Sequence, residues 1–201
     1  MKQADKHFNN FEFSLALEVY KKILDSGEPN IAVVQRIADS YRILNNSREA
    51  EFWYAQVVNF PNADPTNIYL YAESAKRNGN YEKAKFLFQE YGRKVPGQAA
   101  SAERMAASCD TAMKWLAAPR AFEVRKDKAL NTEGAEFSPI RTKDGLFLAS
   151  DRLEGSKQTM RNSWTGNGYI QMYFAKAITD STWGTPVPLP SNINTTYHNG
   201  P

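Results

Sequence analysis

The sequence predicts an α+β chain of more than one domain: an all-α array of helical hairpins followed by an antiparallel β-sheet. Three observations predict it. Ala4, Ala38, Ala72 and Ala106 recur at one constant interval of about 34 residues. Ala16, Ala50 and Ala84 keep the same interval, and Tyr20, Tyr54 and Phe88 each follow one of them by one helical turn. After Pro119 the apolar pattern changes from a helical period to a period of two. The alanines and rings have a packing reason: a methyl on one helix lets a second approach it, and a ring one turn further fills the gap beside it. A single hairpin of this kind cannot bury its own apolar face, so neighbours must stack.

The totals narrow the function classes. With 201 residues, 42% hydrophobic and 12% aromatic, the chain can build real cores. The net charge of +3 divides into 15 basic against 14 acidic residues before Pro119 and 10 against 8 from there on. Neither half carries the basic excess of a nucleic-acid binder, so no nucleic acid is expected as a partner. No run approaches the length of an apolar membrane span. The start, from Met1 to Asp5, lacks a signal-peptide core. Cys109, the one cysteine, cannot form an internal disulfide and reads as a buried, inert thiol.

In chain order, a first helix is expected over Lys2–Asn10, a turn at Phe11–Phe13 and a second helix over Ser14–Asp25, stopped by Pro29. The next hairpin is expected over Asn30–Leu44 and Ser47–Asn59, with Asn45 and Asn46 suited to a left-handed turn. A third covers Pro65–Arg77 and Tyr81–Lys94, divided by Asn78-Gly79-Asn80, whose glycine accepts the positive φ of a helix end. A last helix, Gln98–Ala117, keeps the register at Ala106 and reads as a cap. The repeats are thus placed at about 1–29, 30–63 and 64–97, the cap at 98–118, and the helical domain at 1–118. A period of this length, with small residues at two fixed points and an aromatic one turn after the second, resembles the tetratricopeptide repeat. That resemblance implies a solenoid of three repeats plus a capping helix.

Over 119–201 four strands are expected, at Phe122–Val124, Glu136–Ile140, Leu146–Ser150 and Ile170–Lys176. Asp144-Gly145 signals a hairpin, whereas 155–168 is a long connection. The stretch Trp183–Pro190 has three prolines and cannot be a central strand. Asn131-Thr132 recurs as Asn194-Thr195, and the end of Phe137-Ser138-Pro139 is echoed at nearly the same spacing by Gly200-Pro201. Sheet units that recur in this way suit the blades of a β-propeller, of which this stretch would hold about one and the start of the next. The chain is therefore expected to be a piece of a longer protein.

Glu136-Phe137-Ser138-Pro139, the run from Asp144 to Arg152, and Tyr173-Phe174-Ala175 followed by Trp183, Pro186 and Leu189 resemble a blade of a TolB-like propeller. The order of tetratricopeptide repeats then propeller is similar to one family of bacterial cell-envelope proteins that continue into an OmpA-like peptidoglycan-binding domain. Members are associated with type IX secretion and gliding. The resemblance implies a place on the periplasmic face of the outer membrane, envelope or secretion proteins as partners, and peptidoglycan contact only through a C-terminal domain this chain lacks. The lipoprotein signal of that family is also missing, which keeps a cytoplasmic location open.

Counted from the first alanine of each repeat, residues one and four later are expected to face a groove: Asp5 and Phe8, Asp39 and Arg42, Glu73 and Lys76, Ala107 and Asp110. Gln35, Tyr69 and Glu103, three before it, join them. Mixed charge with an aromatic at the middle suits an extended peptide or a helix. Tyr69 is the strongest candidate, since a groove aromatic contributes more contact energy than a rim charge. The alternative is that these positions are solvated helix faces, with Asp39, Arg42, Glu73 and Lys76 in ordinary surface ion pairs. Asp151-Arg152 reads as a structural ion pair between strands instead of a catalytic acid. Trp53, Trp115 and Trp183 read as packing residues and Trp164 as exposed.

No catalytic constellation stands out. His7 and His198 lie in different modules without metal-ligand spacing, and Gly166-Asn167-Gly168 lacks the lysine and helix of a phosphate loop. No serine sits in a nucleophile elbow. A glycosidase-like carboxylate pair stays open, since 22 acidic residues pair in many ways. The expectation is a non-enzymatic protein-interaction scaffold without cofactor or metal. The alternative is a cytosolic adaptor or co-chaperone.

Overall fold

The computed structural model describes residues 1–27, 30–153 and 161–200. Pro29, the expected helix stop, lies outside the described residues, as do Pro201 and the first part of the expected 155–168 connection. The chain is α+β and separates into two compact units, Met1–Ala121 and Phe122–Pro201.

The first unit holds α1 (Lys2–Asn9), α2 (Phe13–Asp25), α3 (Ile31–Ile43), α4 (Ser47–Val57), α5 (Thr66–Arg77), α6 (Tyr81–Lys94) and, after a 3-10 turn at Pro96–Gln98, α7 (Ala99–Ala117). Ala4, Ala16, Ala38, Ala50, Ala72, Ala84 and Ala106 are wholly buried, and so are Tyr20, Tyr54 and Phe88. Their burial divides among three apolar clusters, each joining one hairpin to the first helix of the next. Cys109 is buried with them, and burial pushes its thiol up.

The turns inside the hairpins repeat as strictly as the alanines. Phe11, Asn45 and Gly79, spaced by the same interval, all take positive φ, at 62°, 57° and 81°. Glycine does so freely and asparagine tolerably, whereas a phenylalanine there is strained. Asn46 does not share the left-handed conformation expected of it: at φ −84° it caps α4, its side chain accepting from the Glu49 N–H.

Polar clips tie successive hairpins. Glu51 accepts from Asn78 Nδ2 at 2.6 Å, from Asn80 Nδ2 at 3.0 Å and from Lys83 Nζ at 2.8 Å, across from α4 to the α5–α6 turn. Burial opposes its ionisation, but these donors outweigh it and hold its carboxyl below the usual range. Lys85 on α6 pairs with Asp110 on α7 at 2.8 Å. Trp53 is partly buried against two of the clusters. Trp115 corrects its expectation, being 74% exposed near the end of α7, where no second helix of the pair follows among the described residues.

The second unit is one antiparallel sheet with β1 (Glu136–Arg141), β2 (Gly145–Ser150), β3 (Gln171–Thr179), β4 (Thr182–Trp183) and β5 (Val187–Pro188). The order is β1-β2-β3-β4, with β5 also on β3. The prolines of the tail thus confine it to two short edge pairings. A register shift in β1 coincides with Ser138 at φ 51°, next to Pro139, a bulge where the ladder could not use a proline. Phe122–Val124 is not a strand. Phe122 and Val124 are 71% and 85% exposed, and no strand among the described residues takes up their backbone groups. Gly145 begins β2 because a Cβ there would collide with the Ala175 carbonyl and the Phe174 ring, so strand proximity demands the glycine. Leu148, Tyr173 and Ala175 form the small core with Leu130 and Trp183. Trp164 is 44% exposed. No helix among the described residues is long and apolar enough to cross a membrane.

Candidate functional site

Three of the residues expected in a groove come together. Arg42 from α3 and Tyr69 and Glu73 from α5 line one pocket of about 470 Å³, together with Ile43, Asn45, Ser47, Ala50, Leu70, Ser74 and Arg77. The repeat packing puts α5 beside the end of α3, and the α3–α4 turn closes the far side. Ser47 Oγ donates to Asn78 Oδ1 at 2.5 Å and Arg77 Nη1 to Asn45 Oδ1 at 3.2 Å, which fixes that turn against the end of α5.

The other members are placed differently. Asp39 does not offer its carboxylate freely: Oδ1 accepts from the Tyr54 hydroxyl at 2.5 Å, and that hydroxyl accepts from Arg42 Nε at 3.1 Å. Asp5 is held in the same way by Tyr20, at 2.6 Å. A short acid one residue after the alanine points toward the tyrosine of the following helix, a distance that a phenol spans. Lys76 Nζ donates to Ser108 Oγ at 2.7 Å, bridging α5 to α7. Gln35 is half-buried on α3, and Glu103 is exposed on α7, where its charge acts on Lys85. None of Asp5, Gln35, Asp39, Lys76 and Glu103 lines the pocket.

Glu73 is the exception to the acid–phenol pairing. It is the longer acid, and its counterpart on the following helix is Phe88, which has no hydroxyl. Its Oε1 is buried without a hydrogen-bond partner among the described residues. Tyr69, one turn before it, packs its ring on Phe88 and Tyr91 at centroid distances of 5.5 and 5.4 Å. Burial and the Glu73 charge push the Tyr69 hydroxyl's pKa up. The pocket therefore combines an aromatic wall, an acid lacking a donor, and two guanidiniums, each making one hydrogen bond and no ion pair among the described residues. Arg77 was absent from the sequence expectation, yet it lies on the Tyr69–Glu73 face at the same four-residue step, a signal the alanine register alone does not carry.

In the sheet, Arg152 Nη2 lies 3.3 Å from Glu136 Oε1, so the structural ion pair expected for Asp151-Arg152 takes its acid from β1. Arg152 also donates to the Leu130 carbonyl at 2.7 Å and lies over the Tyr173 ring at 4.8 Å. Asp151 accepts from the Ala135 N–H at 2.7 Å and from Asn167 Nδ2 at 2.9 Å. Glu136 also accepts from Thr132 Oγ1 at 2.6 Å and from Ser150 Oγ at 3.2 Å. Burial opposes its ionisation, but the donors from Thr132, Asn131 and Ser150 lower its pKa overall. With both side chains enclosed, the pair is a cross-brace of the sheet. Asn194 plays a similar part at the other edge: its Oδ1 accepts from the Met172 N–H at 2.8 Å and its Nδ2 donates to the Met172 carbonyl at 2.9 Å.

Among the described residues no cluster of three or more His, Cys, Asp or Glu side chains is arranged to hold a metal. No protein-family model matches the chain, and neither the curated proteins nor the solved structures contain a significant match.

Proposed function

We propose that this chain is a non-enzymatic scaffold, a tetratricopeptide array followed by about one blade of a TolB-like propeller, whose array holds a partner protein. The observation that carries this reading is the convergence of Arg42, Tyr69 and Glu73 on one pocket of both charges, built by two successive hairpins. Such a mixture of an aromatic wall and separated charges suits a peptide surface. The strict burial of the alanine and ring columns supports the repeat assignment. The order of the modules supports a setting in the bacterial envelope, within a secretion or gliding assembly at the outer membrane, with envelope or secretion proteins as partners.

The test is affinity capture from a bacterial envelope extract on the full chain, comparing wild type with Tyr69→Ala and Arg42→Ala, each checked for helical content by circular dichroism. The expected result is one envelope protein, identified by mass spectrometry, whose recovery falls with both substitutions. Recovery unchanged by both would place the docking surface elsewhere.

A further inference from the structure

We propose that the pocket beside α5 takes an extended peptide segment whose alternate side chains are apolar, basic and acidic, the basic one meeting Glu73 and the acidic one Arg77. This rests on the interaction reading above and specifies its ligand. Tyr69, Glu73 and Arg77 follow one another at four-residue steps on α5 and all line the pocket. They form a stripe with roughly 6 Å between successive members along the helix. Alternate residues of an extended chain are about 6.6 Å apart. A strand laid along α5 therefore stays in step with all three across five of its residues.

Each member of the stripe asks for a different group. Tyr69 and Leu70 present an apolar wall beside the rings of Phe88 and Tyr91. Glu73 has a buried oxygen with no donor, and leaving it so is costly; turning the carboxylate toward an ammonium or guanidinium in the pocket removes that cost. Arg77 gives one N–H to Asn45 and keeps others for a carboxylate. Arg42, opposite, gives Nε to Tyr54 and keeps its terminal nitrogens for main-chain carbonyls. A uniformly acidic ligand would meet Glu73, and a uniformly basic one would meet Arg42 and Arg77. An alternating ligand satisfies both signs.

The experiment is fluorescence anisotropy on the full chain with a labelled peptide, Ser-Leu-Ser-Lys-Ser-Glu-Ser, capped at both ends. Saturable binding is expected, weakened about tenfold or more when the peptide's lysine becomes norleucine. With Glu73→Gln the two peptides should bind equally. Because the first change is made in the ligand, a folding defect cannot imitate it. Absence of saturable binding, equal affinity of the wild type for both peptides, or a lysine preference that survives Glu73→Gln would each overturn the proposal. If the envelope partner is still lost with Tyr69→Ala while the lysine preference is absent, the docking surface stands and this ligand chemistry falls. If neither effect is seen, both fall.

Discussion

Glu73 and Phe88 occupy, in the third hairpin, the positions that Asp39 and Tyr54 hold in the second and Asp5 and Tyr20 in the first. The phenol that satisfies the acid in two hairpins is missing from the third, and the acid left behind lines the pocket. Restoring the pair tests this directly. Phe88→Tyr combined with Glu73→Asp should be more stable than the two single effects predict, by a coupling of about 1–2 kcal/mol in denaturant melts. Additive single effects would show that the third hairpin does not share the geometry of the other two. Tyr54→Phe, which removes the phenol from Asp39, should cost about 1–3 kcal/mol.

Alkaline titration reads the same pairs. Burial, then the hydrogen bond and charge of Asp5, push Tyr20 well above its ordinary pKa; burial, then the charge and hydrogen bond of Asp39, do so for Tyr54. Because the folded values are raised, the stability they contribute is whole below the unfolded value of about 10 and is lost as pH rises toward the folded values. Of the ten tyrosines, these two should ionise last and together with the loss of helical circular dichroism. A tyrosinate absorbance curve completed while the helical signal is intact would contradict this.

The enclosed pair in the sheet has the opposite sign. Glu136 has a lowered pKa when folded, so its contribution is present above the unfolded value of about 4.3 and disappears as pH falls through the folded one. Glu136→Gln should flatten the acid limb of the sheet's stability, followed by tryptophan fluorescence. Arg152→Ala, which leaves a buried carboxylate without its cation, should cost about 3 kcal/mol or more near neutral pH.

At the first hairpin turn, Phe11 holds the conformation that Asn45 and Gly79 hold later, and the residue is 60% exposed. Phe11→Gly should raise thermal stability by about 1 kcal/mol through relief of the left-handed strain. The loss of its edge contact with Phe13, at 6.1 Å between centroids, offsets part of that gain. A lowered melting temperature would mean that the ring contact outweighs the strain.

How far the residues alone reached follows from the range of the forces involved. The helix boundaries, the buried alanines and the rings beside them were legible because each depends on neighbours within one or two turns or one repeat away, and the interval is uniform. The strands β1, β2 and β3 were legible from their residue pattern and the Asp144-Gly145 break. Phe122–Val124 has the residue types of a strand, but a strand exists only where another chain segment accepts its hydrogen bonds, and residue type does not say whether one does.

The amino-acid order by itself determined that helices come first and strands second, that the helices pair at one constant interval, and that Tyr69 and Arg42 belong to one surface. Only the tertiary structure decided that Asp39 is tied to Tyr54, that Glu73 is left with an oxygen lacking a donor, that Arg77 joins the pocket, and that Arg152 takes its counter-ion from β1. The physical reason is that helix packing recurs at short, regular separations, whereas hydrogen-bond and charge partners are chosen by which side chains reach across elements once the packing is set.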